Sequence, residues 1–374
     1  MEQKKVLILT MTCGEGHNHI ARSIATQLEK MGAITKIEDI FGTRPKRKNH
    51  FNNAYLWSCK HIPHLYDFAW RIERKIEPKN LALCPAVWET KCVAKYFANL
   101  IANFAPSTIV CVHNECGALI AWLKHKNLID NSIKTITVMF DYVLCPNWKS
   151  NRFLDFCITP SKICHQALQK IGFKENQLAC LGFPVDTKFC TIQDKQTARN
   201  KLGLDDKFTF FSIAGGNGIG NQLKLLKHIL KAKGNFQVIM ICGKNEKAKK
   251  QIDDYVAKHN LKNVKCFGFA NNVDELMSAS DVAFARGGGN GISECFCKGL
   301  PIIFRKGLII NEKDNAKIFE KLGCGFVVKK NGDVEKFCQK FLDDEQLADK
   351  MKQNIKNILI SNATQNLCEF VLKN

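Results

Sequence analysis

The sequence predicts an α/β protein of two doubly wound halves, each a parallel sheet covered by helices on both faces. Three observations predict it. At 374 residues the chain is too long for one ordinary core and suits two domains of about 150–190 residues each. Short β-rich apolar runs alternate with helix-like amphipathic stretches, once before and once after residue 190. Those apolar runs are nearly continuous, as strands buried on both faces require.

The strands read this way are Val6–Thr10, Ile109–His113, Ile133–Phe140, Phe156–Thr159, Thr209–Ile213, Phe236–Ile241, Val264–Phe267, Val282–Ala285 and Pro301–Phe304. Gly182-Phe-Pro-Val-Asp186 and the polar run Thr191–Arg199 mark the junction. The expected domains are 1–188 and 189–355, facing a cleft, with a helix over 356–374 packing back toward the first. There is no internal repeat and no low-complexity tract. In doubly wound sheets ligands bind beyond the carboxyl ends of the strands, so the loops there carry the chemistry.

Composition narrows the classes. No stretch approaches the roughly 18–20 unbroken apolar residues of a membrane-spanning helix. Val6 to Met11 is too short for a signal peptide and reads as a buried first strand. The 18 cysteines form no CxxC pair, which argues against a cysteine metal site or a disulfide scaffold. They are expected to act as small buried hydrophobes in a reducing cytoplasm. Lys plus Arg exceed Asp plus Glu by 55 − 35 = 20, which implies an anionic partner: nucleic acid, an anionic membrane or phosphate ligands.

Three loops between a strand and a helix are glycine-rich: Cys13-Gly-Glu-Gly-His17, Ala214-Gly-Gly-Asn-Gly-Ile-Gly220 and Arg286-Gly-Gly-Gly-Asn-Gly-Ile-Ser-Glu294. Glycine lets backbone N–H groups approach a ligand, and the following helix N-terminus favours negative charge. None is a P-loop and none is a full GxGxxG with its acidic partner. One such loop could be a mere tight turn. Three at equivalent places, with His17 and Glu294 on them, point to phosphate and nucleotide binding.

At these residues the chain resembles the diacylglycerol glycosyltransferases, that is, monogalactosyldiacylglycerol synthase and processive diacylglycerol glucosyltransferase. These are relatives of the N-acetylglucosaminyltransferase that makes lipid II. The first half carries Gly14-Glu-Gly-His17 with Ala21, then Tyr55, Lys60, Pro63, Leu65 and Tyr66, then Asp141-Tyr142 with Trp148, and Gly182-Phe-Pro-Val185. The second half carries Gly268-Phe269 with Leu276 and Asp281, then Gly288-Gly289, Ser293-Glu294, Gly299-Leu-Pro301, Glu312 and Asn315. Three places depart from the pattern: Cys145 where a histidine is frequent, Gly287 for a proline, and Ile310-Asn311 for Gly-Gln. The last leaves the sugar open.

The resemblance implies a GT-B fold of two Rossmann-like domains and an inverting transfer from a UDP-sugar to a membrane lipid such as diacylglycerol, without a metal or other cofactor. It makes Glu294 the ribose partner and Phe269 the uracil platform. Gly215, Gly216 and Asn217 then line the pyrophosphate, while Asn311, Glu312 and Asn315 face the sugar. Arg286, Gly288, Gly289 and Ser293 complete the donor side, and Gly14, Gly16, Tyr55, Trp57, Lys60, Tyr66, Trp70 and Trp148 the acceptor and membrane side.

Inverting transfer needs a base, and His17 is the candidate because imidazole titrates near neutrality. Asp141 is the other, acting directly or by orienting a partner. The alternatives are a helix-start histidine bonded to backbone and a turn or capping aspartate. His113 reads as structural. Glu294, placed in the first turn of a helix, could be there for the dipole alone. Arg286 or Arg305 could meet leaving-group charge, or be solvated surface charges.

Residues 42–80 interleave basic side chains with Phe51, Tyr55, Trp57, Tyr66, Phe68 and Trp70, a composition suited to anionic headgroups. A helical pair with its aromatics inward is the alternative. The expected setting is cytoplasmic, peripheral to the inner membrane face. An isoprenoid-linked or other glycan acceptor, a UDP-sugar epimerase, and a basic RNA-binding protein remain open. Nucleic acid is not expected, since no RNP-like, KH or zinc-knuckle pattern occurs.

Overall fold

The computed structural model describes residues 3–12, 15–42, 46, 49, 53–54, 57–58, 61–76, 91–215, 218, 220–330 and 332–374, the side chains of 74–76 excepted. Of the expected site residues, Gly14, Tyr55, Lys60, Gly216 and Asn217 lie outside the described residues, as does Phe51. The chain divides into unit 1, Met1–Thr187 with Ile360–Asn374, and unit 2, Lys188–Leu359.

Unit 1 holds six strands: β1 (Lys5–Thr10), β2 (Ile34–Asp39), β3 (Thr108–Cys111), β4 (Lys134–Val138), β5 (Phe156–Thr159) and β6 (Leu178–Cys180). They pair in parallel in the order β2-β1-β3-β4-β5-β6. Strand β1 folds as it does because Val6 to Leu9 are apolar on both pleat faces and all are buried. On one face Leu7, Leu9, Ile109 and Cys111 pack with Phe97 and Ile101 of the Ala94–Phe104 helix and Leu119 of the Asn114–His125 helix. Each such side chain contributes about 1.5–3 kcal/mol on burial.

The last helix, Ala363–Lys373, belongs to unit 1. It buries Leu367, Cys368 and Val371, and Thr364 and Cys368 bond to the carbonyls of Val185 and Ile24. Gly182, at φ +95, admits this segment: a Cβ there would stand 2.7 Å from that of Ala363.

Unit 2 repeats the plan with β7 (Phe208–Ile213), β8 (Phe236–Ile241), β9 (Val264–Phe267), β10 (Val282–Ala285), β11 (Ile302–Phe304) and β12 (Gly325–Val327), all parallel, in the order β12-β11-β10-β7-β8-β9. Its core joins Phe210, Val238, Met240, Val282, Phe284 and Ile303 with Leu226, Ile252 and Phe341 from the covering helices.

Strand order fixes where each unit binds. In unit 2 the chain winds outward from β7 in one direction and from β10 in the other. The order therefore reverses between these two neighbours, as in the dinucleotide-binding Rossmann fold. In unit 1 it reverses between β1 and β3. A crevice opens at the carboxyl ends of such a strand pair because the two crossovers leave in opposite directions. The glycine-rich loops after β1, β7 and β10 lie at these two places. Most of the described cysteines are buried, in keeping with a packing role.

Candidate active site

In unit 1 Thr10 and Thr12, at the end of β1, are tied to the following helix and to Asp39 by side chains. Thr10 donates to Asn18 Oδ1 (3.0 Å), Asn18 Nδ2 to Thr12 Oγ1 (2.9 Å), and the Thr12 backbone N–H to Asp39 (3.1 Å). The helix Gly16–Lys30 therefore starts in a fixed place, with His17 in its first turn. The His17 ring meets the Phe140 ring edge-on, centroids 4.2 Å apart, and that of His113 at 4.7 Å. Phe140 in turn stacks on His113 at 5.1 Å. Phe140 follows β4 and His113 follows β3, so the carboxyl ends of these two strands and the helix after β1 bring the three rings together.

The tautomer of His17 follows from its partner. Nδ1 lies 3.2 Å from the Val112 carbonyl, which can only accept, so Nδ1 carries the proton and Nε2 keeps its lone pair. Burial pushes the imidazole down from 6.5 to about 4, against the upward pull of the Val112 bond. This corrects the expectation of titration near neutrality: the ring is a neutral acceptor throughout the physiological range. His113 goes the same way, well below its ordinary value, through burial first and the charge of His17 second. Its Nδ1 accepts from the Glu115 N–H (3.2 Å), capping the Asn114–His125 helix, which leaves the proton on Nε2. His113 thus caps that helix and also packs on the candidate base. Its place was invisible in the sequence because 96 residues separate the two histidines.

Asp141 is buried, and its Oδ1 accepts from the Tyr142 N–H at 2.8 Å. Two aromatics assigned to the acceptor and membrane side are placed differently. Trp148 is only 1% exposed and sits against Phe140 at 6.0 Å, and Trp70 is buried on the inner face of the Pro63–Ile76 helix. Residues 67 and 70 share one helix face, while 65, 68 and 72 share the opposite one. The exposed apolar groups are accordingly Leu65 and Phe68, at 60% and 62%, with Ile72 and Trp57. Tyr66 is half-buried.

In unit 2 the loops after β7 and β10 meet at the other switch point. Gly215 adopts φ +73 and Gly218 φ +61. A Cβ on Gly218 would stand 2.2 Å from the Cys242 carbonyl, so only glycine fits. The helix Gly289–Cys297 has Gly288 as N-cap and no side-chain cap. Glycine at the N-cap offers no side-chain oxygen to the first-turn N–H groups. Glu294 lies in the second turn and the first turn holds no acid, which corrects the placement that made a dipole role plausible. Phe269, after β9, is 60% exposed, with Lys244 Nζ 5.9 Å from its ring centre.

The residues expected to face the sugar have partners within unit 2. Asn315 is fully buried and its Nδ2 donates to the Gly287 carbonyl at 2.8 Å. Glu312, also buried, accepts from the Leu308 N–H at 2.8 Å and lies 3.7 Å from Arg286. Ser293 is buried and its hydroxyl donates to the Gly289 carbonyl one turn back. These three brace the loop around Arg286–Gly289. Asn311 begins the same braced helix and is half-buried.

Two parallel six-stranded units, each with glycine loops at its switch point, have the architecture of the GT-B fold, and the matching families make the chain a glycosyltransferase. The comparisons agree. Residues 17–185 match the family model for monogalactosyldiacylglycerol (MGDG) synthase, and residues 215–367 that for the glycosyltransferase family 28 C-terminal domain. The solved structure of Acinetobacter baumannii MurG matches with a TM-score of 0.66 at 14% identity, covering 99% of this chain and 100% of that one. That of Anabaena Alr3699/HepE in complex with UDP matches at a TM-score of 0.58 and 13% identity, covering 99% and 100%.

Within that class the chain is related to the diacylglycerol glycosyltransferases, as its sequence indicated. The processive diacylglycerol beta-glucosyltransferase of Bacillus pumilus is 25% identical over 99% of this chain and 95% of its own length. Among the described residues no helix is long and apolar enough to cross a membrane.

Proposed function

We propose that the protein transfers a hexose from a UDP-sugar to a membrane lipid, diacylglycerol first among candidates, with inversion at the anomeric carbon. The observation that carries this is the unit 2 switch point. There Gly215 lies against Arg286, and the helix Gly289–Cys297 that follows Arg286 in the chain carries Glu294. That set suits a nucleoside diphosphate: backbone N–H groups and a guanidinium for the phosphates, a carboxylate for ribose hydroxyls. The UDP bound in the HepE neighbour supports the nucleotide, and the name of the Bacillus relative favours glucose and diacylglycerol.

In this proposal the deprotonated Nε2 of His17 takes the proton of the acceptor hydroxyl while the diphosphate leaves toward Arg286 and the loop N–H groups. The uracil lies on the exposed Phe269 ring. No metal or cofactor enters the scheme.

The test presents dioleoylglycerol in anionic liposomes with UDP-glucose, UDP-galactose or UDP-GlcNAc and reads lipid extracts by mass spectrometry. A hexosyl-diacylglycerol from one donor is expected. Glu294→Ala should weaken UDP binding by about 10–100-fold, the loss of one or two hydrogen bonds to a charged group. UDP release without a glycolipid would move the acceptor elsewhere, and no UDP binding would overturn the proposal.

Membrane docking belongs to the same proposal. Leu65, Phe68 and Ile72 form an exposed stripe on the Pro63–Ile76 helix beside Arg71, with Trp57 exposed nearby in sequence. Inserted side chains of this size contribute about 1.5–3 kcal/mol each. The double variant Leu65→Asp/Phe68→Asp should therefore lose at least about 10²-fold in liposome partitioning while UDP binding stays. Unchanged sedimentation with vesicles would assign docking to another surface.

A further inference from the structure

Strands β10 and β11 run in register, Ala285 opposite Phe304, and the Arg305 N–H continues the ladder to the Ala285 carbonyl at 2.9 Å. Arg286 and Arg305 therefore leave the sheet side by side, at the carboxyl ends of adjacent strands. The loop after β7 lies over both. A Cβ built on Gly215 would be 3.6 Å from Arg286 Nη2, and one on Gly220 only 2.7 Å from Arg305 Nη2. Glycine at 220, held at φ +117, is what lets the backbone rest against the guanidinium.

The two arginines are not equivalent. Arg286 has a carboxylate, Glu312, at 3.7 Å. The Nη1 of Arg305 is buried and has no hydrogen-bond acceptor among the described residues. Burial, and then the charge of Arg286, hold the Arg305 guanidinium down at about 10, with Glu312 pulling the other way. Two guanidiniums share one carboxylate, and the more buried of them lacks a bond. A charge left that way is costly unless an anion completes it.

We propose that Arg305 is the second guanidinium of the donor site and binds the diphosphate directly, taking up the charge that develops as it leaves. This rests on the nucleotide-sugar reading of the same site. In the step itself the bond between the anomeric carbon and the β-phosphate oxygen breaks and its electron pair stays on that oxygen. The acceptor oxygen bonds to the carbon from the opposite face, and its proton goes to His17. Arg305 supplies fixed N–H donors to phosphate oxygens, for which a planar guanidinium is suited. Arg286, tethered to Glu312, orients the same group from the other side. The arrangement makes the site selective for the diphosphate over the nucleoside, and for an anion over none.

The experiment is calorimetric titration of wild type, Arg305→Met and Arg305→Lys with UDP, uridine and inorganic pyrophosphate, alongside thermal unfolding of each protein without ligand. Arg305→Met should keep uridine affinity and lose UDP and pyrophosphate affinity by about 10–100-fold, with Arg305→Lys between. Its Tm without ligand should equal or exceed that of wild type, since an uncompensated buried charge has been removed. A merely structural arginine would instead lower Tm and leave the UDP-to-uridine ratio unchanged, and that result overturns the proposal. Wild type binding pyrophosphate but not UDP or uridine, with Arg305→Met losing pyrophosphate, would keep the anion site and overturn the nucleotide-sugar reading. Wild type binding none of the three overturns both.

Discussion

Replacing His17 by glutamine is expected to lower kcat by about 10²–10⁴-fold, the usual worth of a general base, with UDP affinity unchanged. Glutamine keeps a donor for the Val112 carbonyl and roughly the ring's reach, so a large loss would isolate the missing basic nitrogen. The pH profile carries the second half of the prediction. The His17 imidazole is held at about 4 by burial, so its basic form persists as pH falls and is lost only near that value. The acid limb of kcat/KM due to this group should therefore lie near pH 4, not at the 6.5 of a free imidazole. A limb at 6.5 that disappears in His17→Gln would mean that the ring is solvated in the working enzyme. A flat profile with full activity in the variant would hand the role of base to another group, Asp141 first.

Gly287→Ala should cost about 10²-fold in kcat/KM without touching any ligand-facing side chain, the scale of an ångström-sized displacement in an active site. A Cβ at 287 would stand 1.9 Å from the Glu312 carbonyl oxygen. That contact is with backbone, so no rotamer change can relieve it. The helix Ile310–Lys321 would have to retreat, breaking the Asn315 bond to the Gly287 carbonyl and shifting the carboxylate beside Arg286. Overpacking of this kind also costs about 1–3 kcal/mol of stability. Parallel measurement of UDP-sugar turnover and thermal unfolding checks it. Full activity at an unchanged Tm would show that the two segments are not pressed together in solution.

Most of the architecture was legible because buried parallel strands announce themselves as unbroken apolar runs. The three strands that the sequence did not disclose are β2, β6 and β12, and each stands at the edge of its sheet. Strand β2, Ile-Thr-Lys-Ile-Glu-Asp, has most of its side chains exposed or half-buried, so its composition matches that of a loop. An edge strand is held by one neighbour's ladder, a fact of pairing and not of local sequence. The glycine loops were legible for the opposite reason: positive φ and close backbone approach leave few other residues possible.

What the site residues do was less visible. Glu312 and Asn315 have the chemistry of ligand partners, yet their polar atoms serve Leu308 and Gly287. Residue type names a hydrogen-bonding capacity without its direction. His17 shows the same limit: imidazole is a near-neutral titrator only while solvated, and desolvation by Phe140 and His113 is a tertiary effect. Trp70 and Trp148 read as interfacial aromatics, but the periodicity of the Pro63–Ile76 helix turns Trp70 inward and Phe68 outward.

The tail of the chain has a consequence for the order of synthesis. Unit 2 is one uninterrupted stretch, Lys188–Leu359, whereas unit 1 is interrupted and closed by residues 360–374. As the chain emerges from the ribosome, β1 to β6 come first, but the carbonyls of Ile24 and Val185 meet Cys368 and Thr364 only once the helix Ala363–Lys373 has been made. Unit 2 meanwhile has everything its core needs. The half of the protein that is translated first is thus the half completed last, and it waits with an open seam for about ten seconds or more at ordinary elongation rates.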